Sequence, residues 1–403
     1  MTESRVREPA ESSLLLFALL AGSSLTVMSG AAIAAAMPAI TNAFDGVWMA
    51  DFLTRLVLTM PALFIALCAP LGGLLVDRFG RRPVVLCTLL LYGLSGGVGL
   101  FTESLTVLLV SRALLGMAVG GLMTACTTLI GDCYRGNRRS QVLGLQASAA
   151  AMGGVVFLMG GGLLAELHWR APFTLYLGAL LLIPVMVLAL SHVRAAREAA
   201  SATAETMTAS TTPAPGALGG LYACMLLGMG LFYIVPLQVP YRLVELGYEG
   251  GAIAGAALAV NTICAAVVSF RYRVLHQRLP EAHLLAVSFL SLAMGLGMIG
   301  IAAGMPLMLT GLAFAGGALG LLIPTVNQWL LRIAPIHQRG RIMSGSTAGL
   351  FLGQFLSPFL SQPLVAILGL SAAFTGFSLA ALLVTALLAG IAWRSAAAQR
   401  RLS

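Results

Sequence analysis

The sequence predicts an all-α membrane protein with twelve transmembrane helices in two pseudo-symmetric six-helix bundles. Three observations carry that expectation. The chain is 59% hydrophobic and only 9% charged, with a mean hydropathy of +0.95, which excludes an ordinary soluble domain. Apolar runs of the roughly 20 residues needed to cross a bilayer recur twelve times between short polar stretches, and helices are the form that satisfies its own backbone in lipid. The chain also repeats itself. Arg138-Arg139-Ser-Gln-Val-Leu-Gly144 follows the fourth run and Arg339-Gly340-Arg341-Ile-Met-Ser-Gly345 follows the tenth; 339 minus 138 and 345 minus 144 both give 201, about half the chain.

The spans fall at about 14–36, 52–75, 84–101, 105–131, 141–165 and 171–192 in the first half. The second half has 219–241, 250–270, 283–304, 306–333, 342–366 and 371–393. Span one ends in Ala34-Ala35-Ala36, which resembles a signal-peptidase site. Its apolar run is too long for a signal core of roughly 7–15 residues, and residues 1–13 mix Glu with Arg, so it reads as an uncleaved helix. Span two opens with Asp51 and Arg55, placed i, i+4 on one helix face at its outer end. Span four carries Arg112 about a third of the way in, where a charge is costly unless paired or hydrated. Span five is rich in glycine, as close helix packing in membranes favours. Residues 193–218 turn polar, with Thr-Thr-Pro-Ala-Pro-Gly at their end, and read as a cytoplasmic linker. The expected domains are therefore 1–192, the linker 193–218, and 219–403. Pro236 and Pro240 are expected to break span seven near its outer end.

All 23 basic residues are Arg, and 19 of them fall on one side if the N-terminus is inside. That bias puts both termini in the cytoplasm, in a multi-pass protein of a bacterial inner membrane. The net charge of +9 then reflects topology, and no nucleic-acid partner is expected. The six cysteines and five histidines show no metal-ligand spacing. No phosphate-binding loop or hydrolase elbow is present, so the chain is expected to be neither an ATPase nor another enzyme, with no catalytic residue, metal or cofactor.

Amides and a phenol inside apolar spans should face a bundle interior, because unpaired polar groups in hydrocarbon are costly. Those candidates are Tyr233, Gln238, Asn261, Asn327, Gln328 and Gln354, with Gln146 near a cytoplasmic end. Each can serve as glue between helices or as a solute contact. None of the 14 acidic residues falls mid-span, which leaves Arg112 and Arg55 as the positive centres that a negative or zwitterionic solute could use.

Between spans two and three stands Gly73-Leu-Leu-Val-Asp77-Arg78-Phe-Gly80-Arg81-Arg82. This stretch resembles the loop pattern G-x-x-x-D-R-x-G-R-R/K of the major facilitator superfamily. The resemblance implies two parallel six-helix halves around a central cavity. It implies that Asp77 packs against the start of helix eleven, near Ile342–Gly345, and that a loop Arg pairs with Asp132. Gly73, Asp77, Arg78, Gly80, Arg81, Arg82 and Asp132 would then latch the cytoplasmic face in the outward-facing state. The C-half counterpart, Gln277-Arg278-Leu279-Pro280, is degraded. Val-Ser-Arg112-Ala-Leu-Leu-Gly116 matches the superfamily's R-x-x-x-G pattern, linked in some branches to proton coupling; the plainer role is an Arg bonded to carbonyls of helix one. The antiporter branch has G-P-x-x-G-G in helix five, but Val156-Phe157 stand at the Gly-Pro position, so that helix should be straight.

The expected function is secondary active transport of a small organic solute by alternating access. The expected form is proton-coupled efflux, with the proton gradient as energy source. An uptake symporter or uniporter for an organic anion is the alternative, and a non-transporting sensor the alternative of another class. The candidates for coupling or substrate contact are Arg112, Asp51, Arg55, Tyr233, Gln238, Asn261, Asn327 and Gln354. The expected partners are the solute and the lipid bilayer, around a monomer.

Overall fold

The computed structural model describes residues 13–134, 136–197, 215–335 and 338–402. The described residues form thirteen α-helices with two short 3-10 segments and no strand. In the first half they are α1 Ser13–Ala34, α2 Met37–Ala43, α3 Ala50–Phe79, α4 Arg81–Gly97, α5 Leu105–Cys133, α6 Gly136–Leu167 and α7 Gly178–Arg197. In the second half they are α8 Pro215–Phe232, α9 Ile234–Glu245, α10 Gly251–Arg278, α11 Glu281–Ile301, α12 Met305–Ile333 and α13 Arg339–Leu402. Following the arginine bias, the end bearing Gly80, Asp132 and Arg339 is termed cytoplasmic and the end bearing Trp48 and Gly250 outer.

Eleven stretches of the described residues are long and apolar enough to cross a membrane, one short of twelve because spans eleven and twelve share α13. Gly369, at φ 78° and ψ 169°, breaks that helix into two crossing arms without any intervening loop. A positive φ of that size suits glycine because it has no Cβ. The stretch at 73–82 is likewise no loop. α3 runs on to Phe79, α4 starts at Arg81, and Gly80 alone (φ 85°, ψ 162°) makes the turn.

Span seven does break, but at Tyr233 rather than at its prolines. Pro236 has no N–H to offer the Phe232 carbonyl and its ring crowds that oxygen, so the disruption falls one turn earlier. α2 was not legible as an element, being only seven residues in the outer connection between the first two spans. α6 carries no proline, whereas the first arm of α13 holds Pro358 and Pro363. The middle of the expected linker, 198–214, lies outside the described residues; α7 enters it to Arg197 and α8 starts inside it at Pro215.

Small residues let the helices approach to backbone contact. A methyl on Gly116 of α5 would strike the Pro61 backbone of α3, and one on Gly316 of α12 would strike the Asn261 carbonyl of α10. Hydroxyls fasten each bundle internally: Tyr92 donates to the Leu25 carbonyl at 2.6 Å and Tyr176 to the Ser29 carbonyl at 2.9 Å. In the C-half, Ser288 donates to the Ala318 carbonyl at 2.8 Å and Ser378 to that of Ala293 at 2.7 Å.

Candidate functional site

Between the halves lies a cavity of about 370 Å³. Its N-half wall comes from α1, α3, α5 and α6, and its C-half wall from the α8–α9 junction, α10, α12 and α13. Tyr233, Asn261 and Gln354 line it, and among the described residues no Arg, Asp, Glu or His does. Gln238 and Asn327 do not reach it. Asn327 instead accepts from Ser346 at 2.9 Å, tying α12 to α13, and Gln146 donates to Ser23 at 2.9 Å, tying α6 to α1.

Above the cavity, the outer ends of the two halves are clasped around Arg55. Its Nε donates to Gln238 Oε1 of α9 at 3.2 Å, and its guanidinium lies 4.1 Å from the centre of the Tyr241 ring. Asp51, one turn back, accepts from Arg55 Nη1 at 3.1 Å through its carboxylate and at 2.6 Å through its carbonyl. Gln238 then donates to Ser361 at 3.1 Å and to Gln362 at 3.3 Å on α13. Thr41 of α2 shares a 2.7 Å hydrogen bond with the Tyr241 hydroxyl. Phe52 meets Phe359 edge-on at 5.1 Å, and Gly162 of α6 meets the backbone of Gly251 on α10. Arg55 is only 4% exposed, while the Asp51 side chain is 74% exposed. A nearly buried cation is tolerable here because its partners supply charge, acceptor oxygens and a π face. Among the described residues, every hydrogen bond between the halves lies at this outer end. The hydrogen bonds that join the halves among the described residues thus hold the outer end together.

Arg112 is fully buried and touches no acid among the described residues. Its Nη2 donates to the carbonyls of Gly96 at 2.8 Å and Ser95 at 3.3 Å. Its carbonyl partners thus belong to α4, not to helix one. These are carbonyls of the last turn of α4, which lack partners within their own helix and carry its negative end. The guanidinium is flanked by Tyr176 at 4.8 Å and Phe173 at 5.1 Å. Neither Arg112 nor Arg55 lines the cavity.

At the cytoplasmic end, Arg81 Nε donates to Asp132 Oδ2 at 2.8 Å, joining the start of α4 to the end of α5. Arg78 lies over the neighbouring Phe79 ring at 5.6 Å, and Arg82 is half-buried. The expected contact of Asp77 with Ile342–Gly345 falls on a side chain outside the described residues, as does the surroundings of Gly73.

The sequence model of the Major Facilitator Superfamily matches residues 19–298. The chain belongs to that superfamily. The bacillibactin exporter of Bacillus subtilis (strain 168) is 32% identical over 130 residues, which cover 30% of this chain and 32% of the exporter. The class C tetracycline resistance protein of Escherichia coli is 35% identical over 117 residues, 29% of each protein. The chain thus spans about a third of the length of these curated relatives. A solved structure of a D-xylose-proton symporter superposes with a TM-score of 0.73 at 16% identity, covering 93% of this chain and 96% of that one. The superfamily fold accounts for the paired bundles and for a cavity at their interface.

Within this superfamily member, sequence reasoning missed a second cytoplasmic ion pair. Arg332 at the end of α12 meets Glu281 at the start of α11 at 3.2 Å. The signal was available, since 281 minus 81 and 332 minus 132 both give 200, but the charges are exchanged, so matching residue types could not find it. Tyr241, Thr41, Ser361 and Gln362 were missed for another reason: they gain their place only by meeting Arg55 and Gln238 across the interface.

Proposed function

We propose that this chain is a secondary transporter that exports a small organic solute across a bacterial inner membrane by alternating access, using the proton gradient. The observation that carries the reading is a central cavity at the interface of two bundles whose hydrogen bonds to each other, among the described residues, lie at one end. Such an arrangement switches access by parting one end while the other closes. Export is supported by the likeness to a bacillibactin exporter and a tetracycline resistance protein. In this reading the Arg55 cluster is the outer gate, and the stretch at 73–82 with Asp132 steadies the cytoplasmic face when that side closes.

One observation favours a second reading, movement without a coupled proton. Among the described residues no carboxylate lines the cavity, and Asp51, the acid at the gate, is largely exposed while the outer end is closed. A group that meets the outer solution in this state cannot hand its proton inward by the same opening.

The test uses purified protein in liposomes with an imposed pH gradient and a mixed solute library. Accumulation against a gradient, abolished by a protonophore and altered in Asp51→Asn, supports proton-coupled export. Equilibration that ignores the protonophore supports the uncoupled reading. No movement of any solute by folded protein overturns both and leaves a sensor on this fold.

A further inference from the structure

The polar groups facing the cavity are unevenly placed. On the C-half there are four: Thr262 on α10 spends its hydroxyl on the Leu258 carbonyl at 3.3 Å, and the other three come from three separate segments, the Tyr233 hydroxyl at the α8–α9 junction, the Asn261 amide on α10 and the Gln354 amide on α13. Asn261 spends its Nδ2 on the Leu312 carbonyl at 3.1 Å, which fixes the amide and leaves Oδ1 as an acceptor. Among the described residues, neither the Tyr233 hydroxyl nor the Gln354 amide makes any hydrogen bond, and neither is among the buried unpartnered atoms, so both open to the cavity.

The N-half wall is different. Its hydroxyls are committed within α1, where Thr26 donates to the Ser23 carbonyl at 2.7 Å and Ser29 to the Thr26 carbonyl at 3.1 Å. The remainder is side chains such as Leu58, Pro61, Ile65, Met123 and Leu158. Arg55 and Arg112 are both engaged elsewhere, Arg55 in the outer clasp and Arg112 with the Ser95 and Gly96 carbonyls and the Phe173 and Tyr176 rings.

We propose that the cavity takes an uncharged, amphiphilic solute, its polar group held by Tyr233, Asn261 and Gln354 and its apolar body laid against the N-half wall. This rests on the transport reading for its consequence, but not for the binding itself. A solute ion entering this space would leave water for a lining with no countercharge, a cost that such sites do not offset. A polyol would fare badly too, since three groups on one wall cannot replace the water around five or six hydroxyls. The volume suits a compact molecule, at the low end of the roughly 300–1,000 Å³ of small-molecule sites. The neutral lining also argues against the organic-anion alternative.

The experiment measures equilibrium binding to the full chain in lipid nanodiscs. The probes are 1-naphthylacetamide, 1-naphthylacetate and 2-(1-naphthyl)ethylammonium, which share an apolar body and differ in charge, with glucose as the polyol. The amide should bind on the order of 100-fold tighter than either ion, and glucose should not compete. Gln354→Glu should raise ammonium affinity at least about tenfold, while Tyr233→Phe should weaken the amide a few-fold and leave the ions unchanged. Equal or tighter binding of either ion to the wild type overturns the proposal. So does a Gln354→Glu protein that still binds the amide but gains nothing for the ammonium, and so does failure of the amide to bind at all. The transport reading fails separately: an amide that binds but does not cross proteoliposomes removes transport and leaves this inference standing. An ion that crosses while the amide does not has the opposite effect.

Discussion

Arg81 and Asp132 hold each other at 2.8 Å from the wrong ends of their helices. Arg81 opens α4, where the backbone already presents positive charge, and Asp132 sits in the last turn of α5, where it presents negative charge. Each is unfavourable alone, and each offsets the other. The C-half pair is the reverse. Glu281 opens α11 and Arg332 lies in the last turn of α12, so both suit their helix before they meet at 3.2 Å. The two halves therefore repeat a brace in position but not in self-sufficiency, and the N-half charges depend on each other more than the C-half charges do.

Charge exchange tests this account. Arg81→Ala or Asp132→Ala alone should cost about 0.5–1 kcal/mol, the usual range for a partly exposed pair. The double variant Arg81→Asp with Asp132→Arg restores the pair and aligns both charges with their helices, each worth about 0.3–1 kcal/mol. Thermal unfolding in detergent should place the exchanged protein at or above the wild type. A midpoint below that of either single variant would show that helix ends do not govern this pair.

Arg55 should set the balance of the outer gate. Replacing it with Ala removes a charged hydrogen bond to Gln238 and the Tyr241 stacking, together about 2 kcal/mol, or near 30-fold in the closed-to-open ratio. Spin labels at Trp48→Cys and Glu249→Cys, both exposed at the outer end, read this out after the six native cysteines are replaced. The distance distribution should gain a longer component in Arg55→Ala. Arg55→Lys should fall between, because an ammonium keeps the charge and loses the planar stack. An unchanged distribution in the alanine variant would show that the clasp does not hold the closed state.

Arg112 should behave as a structural cation. Arg112→Ala orphans the Ser95 and Gly96 carbonyls and empties the box formed with Phe173 and Tyr176. A loss of about 3 kcal/mol or more is expected. Lys should recover only part of it, since a point charge cannot serve two carbonyls while lying flat between two rings. Solute affinity should hold in the lysine variant, because Arg112 does not line the cavity. A lysine variant with wild-type unfolding but lost accumulation would move Arg112 into the coupling machinery.

Hydropathy and the internal repeat made the bundles legible, because both properties are written along the chain. The position of the break in span seven was missed by one turn, since the eye falls on Pro236 while the lost hydrogen bond belongs to the Phe232 carbonyl. For the site, burial cost singles out amides in apolar spans without saying which neighbour satisfies them. Asn261 and Gln354 open to the cavity, whereas Asn327 and Gln238 are taken up between helices, and nothing in their local sequence separates the two outcomes. The clasp was beyond reach for the same reason. Arg55 and Gln238 lie 183 positions apart, and only the meeting of the two halves at their outer ends brings them together.

The three consecutive glycines of α6 offer a graded test of how the halves meet. A methyl at Gly160 would touch nothing within 4 Å, one at Gly161 would run into the Ala32 carbonyl of α1, and one at Gly162 would run into the Gly251 carbonyl of α10, across the interface. Each exchange to Ala favours the helix by up to about 1 kcal/mol, and overpacking costs about 1–3 kcal/mol. Gly160→Ala should therefore leave stability unchanged or raised, and Gly161→Ala should lower the unfolding midpoint because both backbones belong to one bundle. Gly162→Ala should act differently. Its clash is relieved when the halves part at the outer end, so the protein should keep most of its stability and lengthen the Trp48→Cys to Glu249→Cys distance. A Gly162→Ala protein that unfolds like Gly161→Ala with no change in that distance would show that the α6–α10 contact stays closed throughout, and would remove it from the gate.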